Sequence, residues 1–254
     1  MTRGAVYVVG LGPGPAGSMT PDAARAIATA TDIIGYRAYA SRLTVGGHQA
    51  VHVSDNGDEL QRARHALELA TAGAQVAVVS GGDPGVFAMA AAVFEAIEEG
   101  PPDWRALDVT VLPGVTAMLA AAARLGAPLG NDFCTLNLSD NLKPWALIEK
   151  RLRLAAEGDF VIALYNPASK ARPRQIHDAF AVLRRHQRES AVVMFAKAIG
   201  RPDEETIVTT LKDADPAVAD MRTIVLVGSS ATRRIGRPSG KCWVYSPRSA
   251  KAAM

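Results

Sequence analysis

VYVVGLGPGPAGSMTPDAA, residues 6 to 24, is the stretch whose reading decides the fold. The hydrophobic run Val6 to Val9 ends in Gly10-Leu11-Gly12-Pro13-Gly14. Thr20-Pro21 then has the form of a helix start, a hydroxyl N-cap followed by proline at the first helical position. Ala23, Ala26, Ile27 and Ala30 recur at helical spacing beyond it. Glycines at a strand end let a ligand approach the main chain. Such a loop suits a dinucleotide, a phosphate or a plain tight turn, and G-x-G-x-G lacks the last glycine of the dinucleotide fingerprint.

Working outward, Asp32-Ile33-Ile34-Gly35 reads as a short strand and turn leading into Tyr36-Arg37-Ala38-Tyr39. Leu60, Ala63, Leu67 and Ala70 mark an amphipathic helix, and Gln75 to Ser80 a strand. Strand and helix alternate, which predicts a parallel sheet with helices on its faces and a ligand site at the carboxyl ends of the strands. At one such end stands Ser80-Gly81-Gly82-Asp83-Pro84-Gly85, with a helix expected over Val86 to Glu98. Asp83 either caps that helix, with Pro84 first in it, or accepts hydrogen bonds from a ligand; the two roles are compatible. Strand Val109 to Leu112 then runs into Pro113-Gly114-Val115-Thr116-Ala117 and a helix of small residues through Ala123. Three strand ends of this kind fall in one half of the chain.

Gly126-Ala127-Pro128-Leu129-Gly130 has the texture of a linker, and the charge balance reverses there. Residues 1 to 129 carry a net −4 and residues 130 to 254 a net +7, with no lysine before Lys143. The expected organisation is therefore two α/β domains, 1–129 and 130–254. The second half reads as Phe133 to Leu138, a polar loop Ser139 to Trp145, a helix, the apolar strand Phe160 to Leu164, and Tyr165-Asn166-Pro167-Ala168-Ser169. A helix opened by Arg172 and Arg174 and strands Ala191 to Ala196, Thr206 to Thr210, Thr223 to Val227 and Cys242 to Tyr245 follow, which together suggest a mixed sheet.

The composition, 48% hydrophobic and 21% charged over 254 residues, is that of a globular chain. No apolar run approaches the ~20 residues of a membrane span, and the single arginine before a strand pattern is unlike a secretory signal, so the expectation is a cytoplasmic protein without a membrane partner. Cys134 and Cys242 are too few and too far apart for a disulfide framework or a metal cluster. The basic second half is either a solvated surface or the seat of a polyanionic partner; scattered basic residues and 6% aromatics argue against nucleic acid. His48 and His52 can share a strand face, but no cysteine or carboxylate nearby completes a metal set, and no metal is expected. A hydrolytic triad through Ser139 and Asp140 lacks the G-x-S-x-G elbow. Arg184 to Arg188 reads as a solvated helix face.

In this order, VVGLGPGPAGSMTPDA, VSGGDPGVF, LPGVTAM, ALYNPAS and TIVLVG resemble the tetrapyrrole methylase family, from Val6 to about Ser246. Within it, GYRAY, LSDNLKPW, YNPASKARP and AIGRPDE look most like the branch acting on precorrin-3B in cobalamin synthesis. The resemblance implies two α/β domains with the active site in the cleft between them, and a homodimer. It implies S-adenosylmethionine as methyl donor, leaving as S-adenosylhomocysteine, and methylation of precorrin-3B at carbon 17 with ring contraction to precorrin-4. Carried over residue by residue, the donor site would use Pro13, Gly81, Gly82, Asp83, Val86, Thr116 and Ala117 from the first half, and Asn166, Ala198 and Thr223 from the second. Relatives that act on uroporphyrinogen often have Tyr-Met where this chain has Tyr165-Asn166. Candidates for acid or base work in ring contraction are Ser139, Asp140, Lys143 and Tyr165. Arg37, Lys143, Ser169, Lys170, Arg172 and Arg174 are the candidates for holding the substrate, the cations on its acetate and propionate arms.

Overall fold

The computed structural model describes residues 4–55 and 57–249. The described chain forms two compact units that divide between Thr116 and Ala117. In the first, strands β1 (Ala5–Gly10), β2 (Asp32–Tyr36), β3 (Ala50–Ser54), β4 (Gln75–Ser80) and β5 (Asp108–Leu112) make a sheet of order β3-β2-β4-β1-β5. Every pairing in it is parallel, as the strand–helix alternation predicts.

The period of two along the central strands explains why their sequences are apolar throughout. Val6, Val8, Ile34, Val76 and Val78 point to one face, where they meet α3 (Glu59–Thr71) and α4 (Met89–Glu99) through Ala63, Leu67, Val93 and Ala96. Val9, Ile33, Ala77 and Val79 point to the other and meet α1 (Pro21–Thr29) through Ala23, Ala26 and Ile27. The start of α1 matches its expected chemistry: Thr20 Oγ1 accepts the Ala23 N–H at 3.2 Å, and Pro21 follows the cap. A single turn of helix, α2 (Arg37–Ala40), follows β2.

In the second unit β7 (Phe133–Asn137), β8 (Val161–Tyr165), β9 (Val192–Lys197), β10 (Glu205–Thr210) and β11 (Thr223–Val227) form the expected mixed sheet, of order β10-β9-β11-β8-β7. Only β7 and β8 pair in parallel; β11 runs antiparallel to both its neighbours. Ile162, Leu164, Val193, Phe195, Val225 and Val227 bury one face under α6 (Trp145–Glu157) and α7 (Gln175–His186). Ala163, Met194, Ala196, Ile224 and Leu226 bury the other under α5 (Ala117–Leu125).

The described chain divides between Thr116 and Ala117, 13 residues before the division expected at 129/130. Gly126–Ala127, read from sequence as linker, is strand β6. It pairs in parallel with β13 (Cys242–Tyr245), which pairs antiparallel with β12 (Arg233–Gly236). Gly126, at φ +128°, lies so close to β13 that a Cβ there would stand 2.6 Å from Val244 O. The glycines thus permit a close strand approach and do not mark a joint. The helices expected from Val86 and from Arg172 begin later, at Met89 and Gln175. Phe87 at φ +53° interrupts the first, and a Ser169–Arg172 turn with bonds both ways between the two main chains precedes the second.

Buried Ser246 fastens this third sheet, its Oγ donating to Pro128 O at 2.6 Å and pairing with Thr232 Oγ1 at 2.8 Å. Ser246→Ala leaves a buried carbonyl without its donor and is expected to lower unfolding free energy by about 1–3 kcal/mol in urea denaturation. A change within about 0.3 kcal/mol would show that the 126–130 segment is not held this way.

Candidate active site

In the first unit the site residues collect where the parallel strands end. β1 and β4 are in register at Gly10 and Ser80, and the chains continue as a two-stranded link beyond both. Leu11 N–H donates to Ser80 O at 2.9 Å, Gly12 N–H to Gly82 O at 3.1 Å, and Gly82 N–H to Gly12 O at 3.0 Å. The dinucleotide and phosphate readings of this loop lose their donors at Leu11 and Gly12, whose N–H groups are occupied by β4 and its loop.

The loop after β5 joins the same assembly, its backbone packed directly against the other two loops. A Cβ on Gly114 would lie 2.3 Å from Gly82 O, and one on Gly10 would lie 2.7 Å from both Gly82 O and Gly114 N. Asp83 locks it. Its Oδ1 accepts the Gly85 N–H at 2.8 Å and its Oδ2 the Gly114 N–H at 3.0 Å. Of the two roles open to Asp83 from sequence, the helix cap is absent; α4 starts after Ala88 without a side-chain cap, and buried Ser80 Oγ takes the Met89 N–H at 3.4 Å. Gly81 is needed for a separate reason, since a Cβ there would meet the Tyr39 ring at 2.6 Å. Pro13, Gly81, Gly82, Asp83 and Val86 all belong to these joined loops, and Thr116 follows the third as a buried hydroxyl.

In the second unit β8 and β9 end at the same edge of the sheet, with the beginning of β11 between them. Thr223 is in register with Lys197, and Asn166 follows the end of β8 two residues past Leu164, the partner of Val225. Asn166 and Ala198 both stand at φ +51°, a left-handed conformation that Asn tolerates and Ala does not favour. Backbone held in this region clusters at functional sites, and here it falls on two residues named from sequence. Ala198 N–H is tied to Arg222 O at 2.9 Å. Buried Thr223 donates to Asp220 Oδ1 at 2.9 Å, and Lys197 Nζ lies 2.8 Å from Asp220 Oδ2. Burial pulls the Asp220 carboxyl upward, but hydrogen bonds from Lys197, the Arg222 N–H and Thr223 outweigh it and hold it below the usual carboxylate range.

The expected acid, base and substrate groups stand around the ends of β7 and β8. Asn137 Oδ1 accepts from Asn166 Nδ2 at 3.0 Å and from the Ser139 N–H at 2.8 Å. Gln175 Nε2 donates to both oxygens of Asp140, at 3.1 and 3.0 Å. Tyr165 OH accepts the Met118 N–H at 3.1 Å, which places it at the first turn of α5 beside Ala117. Arg172 Nη1 reaches Asn166 O at 3.5 Å, and Ser169 Oγ accepts the Arg172 N–H at 3.1 Å. Burial first, then the charges of Arg151 and Arg172, hold the Lys143 ammonium below the usual lysine range against the pull of Asp140. Lys170 and Arg174 are exposed on the same loop, and Arg37 is exposed on α2 in the first unit. Tyr39, the last residue of GYRAY, and Arg42, three residues beyond it, border the Gly-rich loops. Neither was named as a site residue from sequence, and the only signal for Arg42 was its proximity to GYRAY.

Among the described residues no group of three or more His, Cys, Asp or Glu side chains is placed to hold a metal ion. His52 is bound instead to Asp32 (2.8 Å) and His65 (3.3 Å). No helix among the described residues is long and apolar enough to cross a membrane.

The family model for tetrapyrrole (corrin/porphyrin) methylases matches residues 5–215. The chain belongs to the tetrapyrrole methylase family. This tetrapyrrole methylase is 56% identical over 245 residues to a precorrin-3B C(17)-methyltransferase of Sinorhizobium sp., covering 96% of each chain. Its fold matches the crystal structure of the methyltransferase CobJ with a TM-score of 0.92 at 52% identity, over 96% of this chain and all of that one. A Thermus thermophilus uroporphyrin-III C-methyltransferase solved with S-adenosylhomocysteine shares the fold, with a TM-score of 0.67 at 22% identity over 89% of this chain and 97% of that one.

The Asp220 contacts supply a pH test for this edge. A carboxyl whose folded pKa is depressed contributes stability above its unfolded pKa, and that stability is lost as pH falls through the folded value. Asp220→Asn is therefore expected to flatten the stability profile below about pH 4 relative to the unchanged protein, as read by urea midpoints across the acid range. Parallel profiles would contradict the assigned contacts.

Proposed function

We propose that this chain is an S-adenosylmethionine-dependent C-methyltransferase that methylates precorrin-3B at carbon 17 and contracts the ring to precorrin-4. The observation that carries the reading is the 56% identity, end to end, with a precorrin-3B C(17)-methyltransferase. The collection of the named donor residues at two sets of strand ends supports it.

The residues present fit the donor. Gly10, Gly82 and Gly114 keep side chains out of the loops beside Pro13 and Asp83, so a ligand meets main chain. Ala117 and Ala198 are small and leave room beside Thr116 and Thr223. In this reading Pro13, Gly81, Gly82, Asp83, Val86, Thr116, Ala117, Asn166, Ala198 and Thr223 hold the donor, contributed by both halves of the chain. When bound, S-adenosylmethionine supplies an already electrophilic methyl group. The chain therefore supplies alignment and exclusion of water, and orientation alone contributes about 7–11 kcal/mol to such a transfer. No protein nucleophile is required.

Ring contraction also moves protons, and Ser139, Asp140, Lys143 and Tyr165 are the groups assigned to it. The Gln175 bonds to Asp140 and the Met118 bond to Tyr165 favour positioning as their main work. Lys143, whose ammonium is held below its usual range, is the member best suited to give up a proton. Arg37, Lys143, Ser169, Lys170, Arg172 and Arg174 hold the substrate's carboxylate arms. A homodimer working in the cytoplasm completes the reading, and sedimentation at micromolar concentration tests the dimer.

Mass spectrometry of precorrin-3B incubated with the protein and S-adenosylmethionine is expected to show a gain of one methyl group. Unchanged substrate beside an active control would overturn the reading. Replacing Arg172 and Arg174 together by Ala is expected to raise the KM for the tetrapyrrole about tenfold or more and leave S-adenosylhomocysteine affinity unchanged. An unchanged KM in initial-rate measurements would remove these two residues from the substrate site.

A further inference from the structure

We infer that Arg42 is a positioning residue for the methyl donor, its guanidinium fixing the Gly12-Pro13-Gly14 turn in the shape that receives it; the inference rests on the donor reading above. Arg42 Nη2 lies 2.8 Å from Gly14 O, 3.3 Å from Gly12 O and 3.4 Å from Leu11 O. Three carbonyl groups aimed at one point repel one another unless a cation stands there, so the turn depends on the charge as well as on the bonds. On the other side of the segment, the N–H groups of Leu11 and Gly12 are held by Ser80 O and Gly82 O. Pro13 has no N–H of its own and lies between the two carbonyls that Arg42 binds most closely. Its placement is therefore set by its neighbours, on one side by the loop of β4 and on the other by Arg42.

The same short segment touches the second donor loop, because the Tyr39 ring packs against Gly81. Residues 37 to 42 thus hold both loops at once, the first by charge and the second by contact. All three contacts come from the one nitrogen Nη2, so a lysine at position 42 keeps the charge but carries it on a shorter, more flexible stem.

The test uses Arg42→Ala and Arg42→Lys in the full chain, with calorimetric titration of S-adenosylhomocysteine, thermal unfolding, and the separate KM values for donor and tetrapyrrole. Arg42→Ala is expected to weaken S-adenosylhomocysteine about tenfold or more and to raise the donor KM, leaving the tetrapyrrole KM near its starting value and the Tm within about 4 °C. Arg42→Lys is expected to recover part of the affinity. Millimolar guanidinium ion is expected to restore binding to the alanine variant and not to change the unsubstituted protein. Donor affinity equal to that of the unsubstituted protein would overturn the assignment alone, as would a loss that tracks unfolding and is not rescued by guanidinium. An unsubstituted protein that does not bind S-adenosylhomocysteine would overturn the donor reading and this assignment with it.

Discussion

The contact on which the first unit's site depends is one in which no side chain stands between backbones: Gly10, Gly82 and Gly114 meet main chain to main chain. A Cβ on Gly10 or Gly114 has no room, Gly114 being the tighter at 2.3 Å from Gly82 O. Three parallel strands place their carboxyl ends side by side, as the fold type dictates. Their loops would diverge if ordinary side chains followed. Glycines let them converge, and Asp83 closes the convergence by accepting an N–H from its own loop and another from the loop of β5. The conformational cost of so many glycines is offset by a rigid, main-chain-lined floor.

The second unit reaches a comparable arrangement by different means. Its sheet is mixed, so the ends of β8 and β9 are separated by the start of β11, and Thr223 fills the gap. Here the unusual backbone angles are carried by Asn166 and Ala198, where glycine would cost less. Asn166 keeps its place because its side chain is in use, donating to Asn137, which in turn holds the Ser139 N–H. One chain of bonds therefore runs from a residue named for the donor to the loop named for the substrate.

Much of this was legible in the sequence where the causes are local. The valine runs, the Thr20-Pro21 start and the Gln75–Ser80 strand follow from period, propensity and capping within a few residues. What escaped had causes far away along the chain. Gly126-Ala127 looks like a joint because its strand partner, Val244-Tyr245, is over a hundred residues distant. Asp83 looks like a cap because Gly114, which it binds, is 31 residues on. Arg42 sits in an ordinary stretch, RAYASRL, and only the folded chain shows three carbonyls around it. The candidate site residues came from the order of several motifs together; the bonds that hold them in place could not be read there.

The central claim is that close main-chain packing of the three glycine loops creates the donor floor. Titration of S-adenosylhomocysteine into Gly114→Ala, beside a urea measurement on the same variant, tests it most directly. The account predicts a folded protein destabilised by about 1–3 kcal/mol with donor affinity lowered a hundredfold or more. Affinity equal to that of the unsubstituted protein would contradict it.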